Sequence, residues 1–387
     1  MTRALVYGLA RSGVAAAAAL EARGDEVVRV DRDNEDDLDL LRDVDLLVKS
    51  PGVPGERPLV VAARERGIPV WSEVELGWRL LAPRPFVGVT GTNGKTTTTE
   101  LLGAIFRAAG RPVAVAGNVG TPLSGIVAPE DAWIVCELSS FQLEDVHEFT
   151  CEVAVLLNLE PDHLDRHGTF ARYRDAKLRV FERARHRVVP RGLGFEGIAF
   201  SADDPLPAEP RIPGRHNREN AAAATAAARA AGIGDDAIAE ALRTFPGVPH
   251  RLEVVREHNG VRWVNDSKAT NTAAARRGVA AYDAPLMLIL GGRAKGEDFA
   301  SFARELPQNV ASIYLVGEAA GELAAAFDAA RRPNVHAETI ARAVELAAAD
   351  AQPGDVVLLS PACASYDQYA DFEQRGEDFR RLVTNLP

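Results

Sequence analysis

Short apolar runs alternate with longer amphipathic or alanine-rich stretches along almost the whole chain, and this rhythm constrains the fold more than any other feature. Runs of that length read as strands and the longer stretches as crossover helices, so the expected class is α/β with mainly parallel sheets. Candidate strands lie at 3–7, 26–30, 45–48, 86–89, 132–136, 153–157, 285–290, 312–316 and 355–359. Candidate helices lie at 12–23, 95–109, 169–183, 217–231 and 339–349. Two proline-rich breaks punctuate the pattern, Ala82-Pro83-Arg84-Pro85 and Phe245-Pro246-Gly247-Val248-Pro249. Proline turns its preceding residue away from helix, so both read as linkers. They divide the chain into expected domains at 1–83, 84–248 and 249–387.

Composition narrows the function classes. A formal net charge of -11 argues against a general nucleic-acid binder, which needs a basic face. Cys136, Cys151 and Cys363 are too few for a disulfide framework and lack metal-ligand spacing, which fits a reducing cytoplasm. Arg11-Ser12-Gly13 and Glu21 interrupt the apolar beginning of the chain, favouring strand-turn-helix over a signal peptide. No segment reaches the roughly 20 apolar residues of a membrane span. A cytoplasmic protein without a membrane or nucleic-acid partner is expected.

Cation usage is lopsided: 5 lysines, Lys49, Lys95, Lys177, Lys268 and Lys295, stand against 39 arginines. Lysine is a compact charge whose amine can lose its proton and react, which arginine effectively cannot do. A chain that writes its surface cations as arginine has kept lysine for particular places. Lys49 has the weakest case of the five.

Lys95 falls in Val89-Thr90-Gly91-Thr92-Asn93-Gly94-Lys95-Thr96-Thr97, which follows a candidate strand and opens a candidate helix. Backbone N–H groups of such a loop wrap a phosphate chain at a positive helix N-terminus. Lys95 would reach the outer phosphates and the Thr96 hydroxyl would take Mg2+. Val89 stands where the common pattern has its first glycine, but the Gly94-Lys95-Thr96 core is intact. The strand at 132–136 leads to Glu137, at the strand end where open α/β sheets bind ligands, and Mg2+ prefers such oxygen donors. The next strand leads to Asp162, His163, Asp165 and His167. His163 reads as a site residue, Asp162 and Asp165 as loop caps, and His167 as a solvated turn histidine. Lys177 lies mid-helix among Arg172, Arg174, Arg179 and Arg183. An amine there can take up CO2 as a carbamate and become a metal-binding carboxylate, whereas arginine cannot readily do so.

These segments resemble the Mur ligase family. The shared features are Gly91-Thr92-Asn93-Gly94-Lys95-Thr96, the Glu137 strand end, Asp162-His163, Lys177 and His216-Asn217-Arg218-Glu219-Asn220, some of them also found in folate-polyglutamating relatives. Closer to the D-glutamate-adding branch are Pro249-His250-Arg251, Asn265-Asp266-Ser267-Lys268-Ala269-Thr270-Asn271, Gly291-Gly292-Arg293-Ala294-Lys295-Gly296 and Ser360-Pro361-Ala362-Cys363-Ala364-Ser365. Phe372-Glu373-Gln374-Arg375-Gly376 follows them. The chain is short for the family, chiefly between Arg187 and Arg215.

The resemblance implies three α/β domains: a Rossmann-like N-terminal domain holding a UDP moiety, a central P-loop ATPase domain, and a Rossmann-like C-terminal domain. It implies ATP, two Mg2+ ions and a carbamylated Lys177, with Thr96, Glu137, His163 and Lys177 at the metals. Asn217 and Asn220 would face adenine, Arg251 the phosphates and Asp266 the ribose. Lys268, Thr270, Lys295, Ser365 and Phe372 would close over ATP and D-glutamate. Asn118, Gln142 and His163 would meet the muramoyl-alanine part, and Ser12, Asp31, Ser50 and Gly52 the UDP. Gly8-Leu9-Ala10-Arg11-Ser12-Gly13 by itself reads as a weak dinucleotide fingerprint, with Ala10 in place of the middle glycine.

The implied reaction joins D-glutamate to UDP-N-acetylmuramoyl-L-alanine at the expense of ATP, in peptidoglycan precursor synthesis, through an acyl phosphate. A monomer, with hinge motion about 246–249, goes with it. Three rivals stay open: a sister ligase adding another amino acid, a nicotinamide oxidoreductase using Gly8 to Asp31, and a nucleotide sensor without turnover.

Overall fold

The computed structural model of the chain describes residues 2–118 and 120–387. Its strands form three sheets. The first contains β1 (Arg3–Tyr7), β2 (Glu26–Val30), β3 (Leu46–Lys49) and β4 (Val70–Ser72), in the order β2-β1-β3-β4. The second contains β5 (Phe86–Thr90), β6 (Val113–Gly117), β7 (Trp133–Glu137), β8 (Val153–Leu156), β9 (His186–Pro190) and β10 (Ile198–Phe200), in the order β10-β9-β8-β5-β7-β6. Every pairing in these two sheets is parallel.

The third sheet contains β11 (Glu253–His258), β12 (Val261–Asn265), β13 (Leu286–Gly291), β14 (Val310–Val316), β15 (Val335–Glu338) and β16 (Val356–Leu359), in the order β11-β12-β16-β13-β14-β15. Only the β11–β12 hairpin is antiparallel. β13 shows why a continuous apolar run belongs in the middle of such a sheet. Leu286, Leu288 and Leu290 enter one core, while Met287 and Ile289 enter another, so both faces are covered, as parallel sheets require. Each such fully buried side chain contributes about 1.5–3 kcal/mol.

The chain divides into two compact units. One runs to Pro210 and includes His216–Phe245; the other is Arg211–Arg215 with Pro246–Pro387. The first two sheets therefore share a unit, and the helix Glu73–Leu81 joins them. Its Glu75 is fully buried. The Glu75 carboxylate accepts N–H bonds from His147 at 2.9 Å, Glu148 at 3.1 Å and Phe149 at 3.0 Å, and pairs with Arg79 at 2.8 Å. A buried carboxylate needs such a set of donors to offset its desolvation.

Strands read from long apolar runs sit within two residues of their expected ends. The strands β4, β9, β10, β15 and the β11–β12 hairpin escape that reading, as does β6, whose first three residues are only half-buried. The helix expected at 169–183 is α-helical over Phe170–Leu178 and closes in a 3-10 turn at Arg179–Phe181.

Candidate active site

β5 ends at Thr90, and the chain turns through Gly91–Gly94 into the helix Lys95–Ala108. Gly94 sits at the helix entrance with φ +83, and a Cβ there would lie 2.2 Å from Asn220 Oδ1. Glycine is thus demanded twice, by backbone conformation and by the close approach of a second helix. That helix, Arg215–Ala230, places Asn220 against the loop, with Asn217 one turn before it, both buried. Its buried alanines, Ala221 to Ala224 with Ala227 and Ala228, keep it close to its neighbours. The loop is also tied to β8's exit, since Asn158 accepts from Asn93 N at 2.8 Å and Thr92 N donates to the Asn158 carbonyl at 3.1 Å. Lys95 Nζ donates to the carbonyls of Gly91 and Thr92, each at 2.9 Å. Thr96 and Thr97 are buried in the first helical turn.

β7 lies beside β5 with Glu137 level with Val89, which sets the carboxylate next to the loop. Glu137 Oε1 accepts from Asn118 Nδ2 at 3.0 Å, and the Glu137 carbonyl accepts from Asn118 N at 2.9 Å. Thr96 and Glu137 supply hard oxygen donors at a loop of N–H groups, a donor set that suits Mg2+ and phosphate. Among the described residues no three His, Cys, Asp or Glu side chains gather as a metal cluster.

Asn118 also lines a cavity of about 800 Å³ at the C-terminal ends of β1 and β3. Ser12, Asp31, Ser50 and Gly52 line it as well. Sequence reasoning missed Tyr7, Arg11, Arg32, Glu35 and Arg57 in the same wall. Tyr7 donates to Glu35, which pairs with Arg57 at 3.2 Å; burial first, and the Glu35 carboxylate second, push the Tyr7 hydroxyl well above its ordinary pKa, against the Arg57 charge. Only the run of cations Arg11, Arg32 and Arg57 at the loops after strands could have hinted at them. Asp31 accepts from Leu9 N at 3.1 Å. In the fingerprint turn, a Cβ on Gly13 would meet the Gly8 carbonyl at 1.8 Å. That glycine serves helix-on-strand packing.

Lys177 is buried, its Nζ 2.7 Å from the Gly91 carbonyl and 4.6 Å from the centre of the Tyr173 ring. Burial first, and the nearby Lys95 charge second, pull its pKa down to about 7. His163 caps the short helix Leu164–His167 with φ +50 and packs 4.8 Å from the Phe141 ring. His167 differs from expectation. It is buried rather than solvated, stacks on Phe141 and shares a hydrogen bond of 3.0 Å with Ser140, because the turn folds back onto the helix Ser140–Leu143. Gln142 is likewise turned inward: its Oε1 accepts from Ser139 N at 2.9 Å as half of a capping box.

In the second unit the three signature segments leave three neighbouring strands at one end, β12 before Asp266, β16 before Ser360 and β13 before Gly292. Ligands bind at such strand ends in open α/β sheets. Arg375 locks two of them together. Buried, it donates to the carbonyls of Ser267 at 2.7 Å, Cys363 at 3.1 Å and Ala364 at 3.2 Å. Lys268 Nζ lies 4.5 Å above the Phe372 ring, Thr270 is half-buried, Ser365 is buried and Lys295 is exposed. Asp266 points inward, accepting from Ser360 Oγ at 2.8 Å and Leu252 N at 3.3 Å. Burial pushes its pKa up to about 7, against the opposing Ser360 hydrogen bond and the Arg251 charge. Lys95, Glu137, His163, Lys177, Asn217 and Asn220 thus belong to the first unit, and Arg251, Asp266, Lys268, Thr270, Lys295, Ser365 and Phe372 to the second.

Residues 89–191 match the Mur ligase middle domain, and residues 250–363 the Mur ligase glutamate ligase domain. A UDP-N-acetylmuramoylalanine–D-glutamate ligase of Desulfitobacterium hafniense is 41% identical over 98% of this chain and 97% of its own length. The chain belongs to the Mur ligase family. The aligned span of 441 positions exceeds the 387 residues here, in keeping with a chain short for the family. Among solved structures, UDP-N-acetylmuramate-alanine ligase MurC of Thermotoga maritima matches with TM-score 0.64 at 19% identity, covering 99% of both chains. MurF ligase of Thermotoga maritima in complex with ADP matches with TM-score 0.59 at 18% identity, covering 92% of both. These likenesses show the three-domain α/β Mur ligase fold. Among the described residues no helix is long and apolar enough to cross a membrane.

Proposed function

We propose that the chain joins D-glutamate to UDP-N-acetylmuramoyl-L-alanine in an ATP-dependent ligation that yields ADP and phosphate. The observation that carries this reading is Asn118. It lines the 800 Å³ cavity and also holds Glu137 through side chain and backbone. A nucleotide substrate in the cavity would point its free carboxylate at the phosphate loop. Ser12, Asp31, Ser50 and Gly52 are its UDP side. Gln142 and His163 lie toward the muramoyl-alanine end, Gln142 acting through the helix it caps.

The loop Gly91, Thr92, Asn93, Gly94 with Lys95, Thr96 and Thr97 holds the ATP phosphates, and Asn217 and Asn220 flank the adenine. Lys95 neutralises charge on the transferred group, so the chain's task is mainly positioning. The substrate carboxylate takes the γ-phosphoryl group and ADP departs; the D-glutamate amine then displaces phosphate from the acyl carbon. Two Mg2+ ions, held by Thr96, Glu137, His163 and a carbamylated Lys177, would neutralise phosphate charge when bound. The lowered pKa of the Lys177 amine, held without an ion pair among the described residues, supports that modification. Arg251, Asp266, Lys268, Thr270, Lys295, Ser365 and Phe372 serve ATP and D-glutamate. We place domain divisions near 83 and 248 and take the enzyme as a cytoplasmic monomer.

The test is phosphate release from ATP in the presence of UDP-N-acetylmuramoyl-L-alanine, comparing D-glutamate with L-glutamate. Release that needs the nucleotide and the D-isomer is expected. Release with neither isomer, or equally with both, overturns the assignment.

A further inference from the structure

One wall of the 800 Å³ cavity is the loop Ser50, Pro51, Gly52, Val53 and Pro54. Apart from Ser50, whose hydroxyl donates to the Gly8 carbonyl at 2.6 Å, these side chains cannot hydrogen-bond. The loop is gripped instead by its carbonyls. Val53 O accepts from Lys49 Nζ at 3.0 Å and from Arg166 Nη2 at 2.9 Å. The same two cations reach Glu144 Oε2, at 3.4 Å and 3.0 Å. Two donors and two acceptors thus close a ring. Asp145 supports it: its Oδ2 lies 3.1 Å from Lys49 Nζ, close enough to pair but out of hydrogen-bond alignment. Its Oδ1 takes Arg64 at 2.7 Å, and Arg64 donates onward to the Gly55 carbonyl at 3.0 Å.

The members arrive from both sheets. Lys49 ends β3, and Glu144 ends the short helix that follows Glu137 and contains Gln142. Arg166 sits in the turn of helix that begins at His163, its guanidinium 4.9 Å over Phe141. The side chains of Lys49, Asp145 and Arg166 are 1%, 7% and 12% exposed. Charge-assisted hydrogen bonds in such a setting are strong and directional. Rigid joining of the cavity wall to the His163 turn is therefore what the ring provides.

We propose that Arg166 is a positioning residue for the nucleotide substrate: through Val53 and Glu144 it holds the 50–54 wall at a fixed distance from the phosphate site. This rests on the ligase reading above. Arg166 touches no reacting atom, so its loss loosens the nucleotide while leaving ATP binding intact.

The experiment measures KM for each substrate by phosphate release, and the Kd of UDP-N-acetylmuramoyl-L-alanine by calorimetry, in wild type, Arg166→Met and Arg166→Lys. Arg166→Met is expected to raise KM and Kd for the nucleotide about tenfold, with KM for ATP within about twofold, the loss expected of one charge-assisted contact. Arg166→Lys, which keeps a donor of the same charge, regains most of that affinity. A parallel rise in KM for ATP, or a fall in kcat with nucleotide affinity unchanged, would show a merely structural role and overturn the proposal. Should Arg166→Met fail to melt cooperatively, Glu144→Gln decides by the same ratio of KM values. A wild type that releases no phosphate with the nucleotide sinks the ligase reading. A wild type that turns over beside an Arg166→Met with normal nucleotide affinity sinks this inference alone.

Discussion

Two lysines of the first unit are equally buried and chemically opposite. Lys49 lies between Glu144 and Asp145, within 3.4 Å and 3.1 Å, and gives its remaining bond to a carbonyl. Lys177 has a carbonyl and an aromatic face but, among the described residues, no ion pair; the Lys95 charge lies nearby, opposed by the Asp162 and Glu137 charges. Burial disfavours an ammonium at Lys177, whereas Lys49 is tied to two carboxylates in contact. One site therefore serves structure. The other keeps an amine that spends half its time neutral at about pH 7. Neighbours, more than depth, decide what a buried lysine does.

The largest effect that would sharpen this contrast is on turnover. Lys177→Arg is expected to lower phosphate release by about a thousandfold while leaving the circular dichroism spectrum and melting cooperativity intact, a loss on the scale of removing a charge-stabilising group. Activity near wild type would erase the distinction between the two sites. Lys49→Met should instead act on stability. Breaking a buried pair costs about 3–5 kcal/mol, and a loss of about 2–3 kcal/mol in urea unfolding is expected because Arg64 and Arg166 still hold the two carboxylates. An unchanged midpoint would mean that the ring is ornamental.

A third test uses pH. Below about 7 the Lys177 amine is protonated and cannot attack CO2. Reactivation of CO2-depleted enzyme by bicarbonate should rise with pH and reach half its maximum near 7, followed as phosphate release. A midpoint near the ordinary 10.5 would break the comparison. The linkage sign agrees: a base whose folded pKa is depressed leaves the unfolded chain binding more protons. Stability of the unmodified protein therefore rises with pH between about 7 and 10.5. The smallest effect is expected at Tyr173→Phe. It removes the 2.9 Å bond to Thr92 but keeps the ring beside Lys177, so turnover should fall by about threefold to tenfold, the worth of one hydrogen bond.

Much of this was legible in the sequence because it is written locally. Continuous apolar runs gave β1, β2, β5, β13 and β16, and Gly94-Lys95-Thr96 after a strand placed the glycine turn into a helix. The lysine count drew attention to Lys177. His167 shows where local reading stopped. Its burial depends on how the turn after β8 folds onto the helix after β7, a contact between residues 27 apart that no spacing rule encodes. Tyr7, Glu35 and Arg57 were missed for the same reason, since nothing in their own neighbourhoods distinguishes them from surface residues. Lys49, given the weakest case of the five, found its partners 95 and 96 residues away.

By itself the sequence determined the α/β class, the glycine turn at 91–94 and the ligase-like motifs, because hydrophobic period, glycine φ and helix-start chemistry act within a few residues. Only the tertiary structure decided which buried charges meet. An ammonium's neighbours across two sheets are set by packing, and those neighbours fix whether it remains a cation or becomes a reactive amine.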